Sequence, residues 1–162
     1  MIFTGQISIL FFMKNKREMH RYLKDYLGHR KVQEMKKYIQ HGRVSTFEHC
    51  KNVADLSLSI SRILPIKVDR RKLAVGAMLH DFYLYDWHKG DDGSGKLHGF
   101  SHAARAYKNA KKYFDIDEDT GHIIRSHMWP LNLTSVPGSK EAWIVCIADK
   151  CVSLGETLFR RQ

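Results

Sequence analysis

The stretch Val75 to Trp87, VGAMLHDFYLYDW, limits the fold more than any other part of the chain. His80 and Asp81 stand side by side in it, at the end of an apolar helical run. Successive helix positions point about 100° apart. The pair therefore addresses two neighbouring directions, which suits two metal ions that share one carboxylate. The other His and Asp positions of the chain make sense around this pair.

Upstream, Met19, Tyr22, Leu23, Tyr26 and Leu27 recur at helical spacing, and Gly28 breaks the run. Val32, Met35, Tyr38 and Ile39 mark a second short helix that ends near Gly42. Residues 1–40 thus read as packing helices without chemistry. Ser45 or Thr46 is the expected N-cap of the next helix, with Glu48 in its first turn. His49, Val53, Leu56 and Ile60 fall on one stripe of that helix, so His49 opens its buried face. Pro65 stops it. Asp69 caps a helix that runs to His80, and Leu73, Gly76 and Ala77 share the His80 side. The small Gly76 and Ala77 are expected to leave room beside the imidazole for an ion and a substrate.

His88 to Gly99, HKGDDGSGKLHG, reads as a loop and as a lid over a neighbouring site. Gly90, Gly95 and Lys96 match most of a phosphate-binding P-loop. That reading fails because Leu97 stands where the magnesium-binding hydroxyl belongs. No apolar strand precedes it, and Asp91 and Asp92 would repel phosphate. Ser101 is the expected cap of a helix from His102 to Phe114, with His102, Ala106, Ala110 and Tyr113 on one face. The acidic run Asp115 to Asp119 suits the start of another helix. His127 closes the apolar face of Ile123 and Ile124, and Trp129-Pro130 ends that helix. In the last helix Ala142, Val145, Cys146 and Val152 surround Asp149. An unpaired carboxylate is costly on such a face, so Asp149 needs a cation or strong hydrogen bonds. No β-alternation or internal repeat occurs, and the expected class is all-α.

The chain has 162 residues, enough for one domain and too few for two comfortable ones. Its net charge of +10 suits anions, whether nucleotides, nucleic acid or acidic membrane; the expected partner is a small nucleotide or dinucleotide, with no membrane. Three cysteines without CxxC spacing point to a reducing compartment, the cytoplasm, rather than a disulfide framework. Ile7 to Met13 is apolar but much shorter than the roughly 20 residues of a membrane span. It lacks the flanks of a secretory signal and reads as a leader, or as a segment before a start at Met13.

Six residues from five expected helices converge in this reading: His49, His80, Asp81, His102, His127 and Asp149. Helical bundles build metal sites from such inward-facing side chains, and mixed His and carboxylate ligands suit iron, manganese or zinc. The ordered set, with its contexts AMLHDF and CIADK, resembles the HD-domain superfamily of metal-dependent phosphohydrolases over roughly Arg43 to Glu156. SHAARAYKNA and IIRSHMW resemble the segments that carry the additional ligands of its binuclear subgroup, which includes enzymes that cleave diadenosine tetraphosphate or cyclic dinucleotides. The resemblance implies one helical HD-type domain over 41–162. His49, His80, Asp81 and Asp149 would hold one divalent ion, His102 and His127 the second, and Asp81 would bridge them. Phe82-Tyr83-Leu84 departs from the Ile-Gly-Lys common after the pair, and the Gly-Tyr-Pro signature of cyclic-di-GMP enzymes is absent. His98 is an alternative to His102 as a ligand. His122 is five residues from His127 and should point away.

The implied activity is hydrolysis of a phosphoester or phosphoanhydride bond of a nucleotide or dinucleotide by a metal-bound hydroxide. Ions about 3.5–4 Å apart can bridge it, neutralise the phosphoryl oxygens and stabilise charge on the leaving oxygen. Asp81 and Lys150 are the expected catalytic residues, and Lys89, Lys96, Arg125 and Lys150 the expected phosphate contacts. Trp87 and Trp129 are candidates for stacking on a base, or for packing. Two other readings stay open. One is a di-iron oxygenase built on the same six ligands. The other is a nucleic-acid-binding module whose metal site is structural.

Overall fold

In the computed structural model the backbone is described for residues 3–89 and 98–159, and side chains for 14–88 and 99–158. Helix α1, Phe3–Leu27, is followed by α2, Arg30–Glu34, and a 3-10 turn at Met35–Lys37. Strands β1, Ile39–His41, and β2, Val44–Ser45, form a small antiparallel hairpin. Five helices complete the chain: α3 (Thr46–Ile63), α4 (Arg70–Leu79), α5 (His98–Tyr113), α6 (Glu118–Ser126) and α7 (Lys140–Phe159). A second 3-10 turn lies at Trp87–Lys89. The architecture is all-α apart from the hairpin.

Local chemistry accounts for the helix starts. The Ser45 side chain accepts from the Glu48 amide at the head of α3. Asp69 accepts from the amides of Arg71 and Lys72 at 3.0 Å, and Asp117 accepts from Thr120 at 2.8 Å. Each cap satisfies amides that the helix itself leaves open. α3 ends at Ile63, ahead of Pro65.

α3 packs on α4 and α7, α4 on α6, and α5 on α6. The core between them includes Val53 and Leu58 of α3, Leu73 and Met78 of α4, Ile124 of α6 and Val145 of α7. Side chains of this kind stabilise the fold by about 1.5–3 kcal/mol each when fully buried. Leu23, Val32 and Met35 enter the same core, so the N-terminal helices share it. α1 is also clasped to α3: Asn15 Nδ2 donates to Ser59 Oγ at 2.6 Å, and Arg62 meets Glu18 and Asn15.

α1 is continuous from Phe3 through the apolar stretch Ile7 to Met13. Three expectations are corrected. The second short helix stops at Glu34, and Ile39 lies in β1; Gly42, at φ 56°, supplies the left-handed turn that folds the hairpin. Ser101 lies inside α5, which starts at His98. α6 ends at Ser126 with His127 as its C-cap, before Trp129-Pro130. Of the expected lid, residues 90–97 lie outside the described residues, Lys96 among them, as do the side chains of Lys89 and His98. Among the described residues no helix is long and apolar enough to cross a membrane.

Candidate metal centre

The six expected ligands meet in the interior. His49, on the first turn of α3, and His80, which caps α4, have ring centroids 5.3 Å apart. His80 and His127 follow at 4.8 Å, and His127 and His102 at 5.0 Å. All six side chains are buried. Three trios bring their donor atoms within 4.8 Å of one another: His49, His80 and Asp81; His80, His127 and Asp149; Asp81, His102 and His127.

Asp81 stands between two groups of imidazoles. Its Oδ2 is 3.3 Å from His80 Nε2 and 3.8 Å from His49 Nε2. Its Oδ1 is 3.3 Å from His102 Nε2 and 3.5 Å from His127 Nε2. Asp149 Oδ1 lies 3.2 Å from His49 Nε2 and 3.6 Å from His80 Nε2.

The second nitrogens fix the ring orientations. His80 Nδ1 donates to Ala77 O at 2.7 Å, and His127 Nδ1 donates to Ile124 O at 2.8 Å. A carbonyl only accepts, so in each neutral ring the lone pair sits on Nε2 and faces the cluster. His80 Nε2 and Asp81 Oδ1 are buried and make no hydrogen bond among the described residues. Lone pairs and carboxylates facing one another in a buried space favour a positive charge between them, a proton or a metal ion. The nitrogen and oxygen donor set fits a divalent transition ion.

The titration behaviour has the same origin. Burial opposes a charge on His49, but hydrogen bonds to Asp149 and Glu156 outweigh it and push its pKa up to about 10. His80 is also raised against its burial, chiefly by Asp81. Burial tends to raise Asp81, but His80, His102 and His127 hold it well below the usual carboxylate range. Asp149 is lowered likewise by His49 and His80. His127 behaves oppositely: burial, then the neighbouring His80, pushes it down to about 3. The pKa values are thus raised on the His49 and His80 side and lowered at His127.

Several supporting residues escaped the sequence reading. Glu156 Oε2 accepts from His49 Nδ1 at 2.8 Å, and Asn52 donates to Glu156 Oε1 at 2.8 Å. Glu156 is two helical turns beyond Asp149 on α7, and that spacing was the available signal. Gln40, in β1, donates from Nε2 to Asp81 Oδ2 at 2.6 Å, and its Oε1 accepts from the Tyr83 hydroxyl. Thr46 and Tyr83 share a further hydrogen bond of 3.1 Å. Asn109 of α5 donates to the carbonyls of Phe82 and Tyr83, holding the segment after Asp81 in place.

The remaining candidates divide. A cavity of about 730 Å³ opens beside the cluster, and Asp81, His102, His127, Asp149, Lys150 and Trp87 are among its lining residues. Lys150 Nζ donates to His127 O at 3.0 Å and also contacts the carbonyl and sulfur of Cys146. Arg125 is not brought to this cavity: it pairs with Glu118 and lies over the Tyr107 ring. Trp129 packs edge-on against Trp143. His122 points away, as its spacing implied, and accepts from the Gly138 amide. Gly76 does not leave room for an ion. A Cβ there would lie 2.6 Å from Ile123 Cγ2, so its role is the close approach of α4 and α6. The three cysteines are free.

The HD domain family matches residues 46–154, well over half of the chain. The chain belongs to the HD-domain family. No curated protein and no solved structure matches it significantly. HD domains bind divalent metals and are in general metal-dependent phosphohydrolases, and the buried cluster of this member is composed accordingly.

Proposed function

We propose that this HD-domain protein is a cytoplasmic phosphohydrolase that uses two divalent ions, iron or manganese, to cleave a phosphoester or phosphoanhydride bond of a nucleotide or dinucleotide. The observation that carries the reading is the division of Asp81. One oxygen faces His49 and His80, and the other faces His102 and His127. His49, His80, Asp81 and Asp149 would hold one ion, and Asp81, His102 and His127 the other. When bound, such ions supply Lewis acidity toward phosphoryl oxygens and a more acidic water.

The chain's own residues provide the preorganisation. Glu156 fixes His49, and the carbonyls of Ala77 and Ile124 fix His80 and His127. Gln40 orients Asp81, and Ser153 donates to Asp149 Oδ1 at 3.2 Å. Fixing ligand orientation in this way typically changes metal affinity or activity 10–100-fold. Lys150 stands at the cavity beside the ligands. An incoming phosphate would compete for its ammonium with the Cys146 contacts, the longer two of its three. Arg125 has no part in this arrangement.

The test is hydrolysis of a panel of mononucleotides, dinucleoside polyphosphates and cyclic dinucleotides by metal-loaded protein. Cleavage that disappears in Asp81→Ala is expected. A protein with full metal content that cleaves none of them contradicts the proposal.

A further inference from the structure

The cavity beside the cluster has two unlike sides. One presents Asp81, His102, His127 and Asp149. The other is built by Trp87, Met128, Pro130, Leu131 and Leu154. Two of the four segments that supply the first side, α6 and α7, continue directly into the second. On α7, Leu154 is five residues beyond Asp149, about 7.5 Å further along the axis. After α6, His127 leads into Met128, Pro130 and Leu131. Leu131 and Leu154 are 48% and 61% exposed, although each is a large apolar side chain. Two of the polar lining residues are committed to the cluster, the Gln40 amide to Asp81 and the Ser153 hydroxyl to Asp149, while His41, Lys150 and Thr157 also line the cavity.

A reacting group therefore sits on the ligand side, and whatever is attached to it extends along an apolar wall. A cavity of this size takes a ligand much larger than one phosphate. A wall of this composition selects by removal of apolar surface from water and by contact with the Trp87 face. It does not select by hydrogen bonds to a particular base edge.

We propose that Trp87, Met128, Leu131 and Leu154 form a subsite for the apolar organic group of a phosphate ester or phosphonate whose phosphoryl end lies at Asp81, His102, His127 and Asp149. The inference rests on the proposed phosphoryl chemistry for the placement of that end. It goes further in naming what the ligand carries. The favoured substrates bear a flat aromatic or short alkyl group, and their ranking follows apolar area more than base identity.

The test compares naphthylmethylphosphonate with methylphosphonate, by calorimetric titration of the metal-loaded full chain. Phosphonates are not hydrolysed, so binding is read independently of turnover. The larger compound is expected to bind at least about tenfold more tightly, within the range that apolar pocket contacts provide. That advantage should fall several-fold in Leu131→Ser and in Leu154→Ser, with methylphosphonate affinity unchanged. Both positions are exposed and lie outside the buried core, so neither change disturbs it. Equal affinity for the two compounds, or an advantage that survives in both variants, overturns the subsite. So does a Leu154→Ser variant that halves the mass in sedimentation without altering the advantage, because a second copy of the chain would then cover the wall. Hydrolysis of naphthylmethyl phosphate is followed in parallel. Selective phosphonate binding without any hydrolysis overturns the proposed activity and leaves the subsite standing. Equal hydrolysis of methyl and naphthylmethyl phosphate without selective binding does the reverse.

Discussion

His49 and His127 are both fully buried imidazoles in one cluster, yet they handle a proton in opposite ways. Both nitrogens of His49 face carboxylates, Asp149 on one side and Glu156 on the other. His127 gives its Nδ1 proton to a carbonyl and turns Nε2 toward another imidazole, His102 Nε2, at 3.0 Å. The first holds a proton to about pH 10 and the second gives it up above about pH 3. Burial penalises the charge in both, so the partners decide the outcome. The two sides of Asp81 are therefore chemically distinct half-sites. An ion entering beside His49 must displace protons from that ring, whereas neutral His127 carries no proton of its own on Nε2, where it meets His102.

The largest expected effect comes from removing the residue the halves share. Asp81→Ala should reduce metal content to near zero and hydrolysis to background, as measured by metal analysis and turnover on one sample. Retention of one full-strength ion would show that Asp81 belongs to a single half. Smaller effects should separate the halves. Glu156→Gln weakens the support of His49 alone, so one of two titrated ions should lose roughly 10–100-fold in affinity. Gln40→Ala frees the shared carboxylate, so both ions should weaken. If the two variants give the same titration curve, the distinction between the halves is wrong.

The chelated protein offers a pH test. His49 has its folded pKa raised from 6.5 to about 10. Its contribution to stability is complete below pH 6.5 and is lost as the pH rises through about 10. His127 has its folded pKa lowered from 6.5 to about 3. The unfolded chain then binds the extra proton first, so stability is lost as the pH falls from 6.5 toward 3. Urea midpoints should decline on both sides of this point. His49→Phe should shrink the alkaline arm and His127→Phe the acid arm; no change in either arm would contradict the assignment. The smallest effect is a control outside the cluster. Asp117→Ala removes the cap of α6 and should cost roughly 1 kcal/mol, with metal content unchanged.

All six residues of the cluster were legible because they lie on or beside helices, where a period of 3.6 residues tells which side chains face inward. The caps Ser45 and Asp69 were legible from residue type, and the acidic run Asp115 to Asp119 contains the cap of α6, Asp117. Gln40 was not legible, because it belongs to a hairpin of five residues in two short strands, too brief for alternation to register. Glu156 carried a signal, its spacing from Asp149, but a Glu near the end of a helix reads equally well as solvent-facing. Gly76 was misread because a small residue beside a ligand has two uses, space for an ion or contact between helices. Only the position of Ile123 distinguishes them. Arg125 was placed by its sequence distance from His127, and its pairing with Glu118 depends on tertiary packing of α6 that this distance does not report.

The most direct test is metal content by mass spectrometry on protein purified without chelator, for wild type, His49→Ala and His127→Ala. Two half-sites joined by Asp81 predict about two ions in the wild type and about one in each variant. About one ion in the wild type, lost with His49 and unaffected by His127, would contradict the account and leave a mononuclear centre on His49, His80, Asp81 and Asp149.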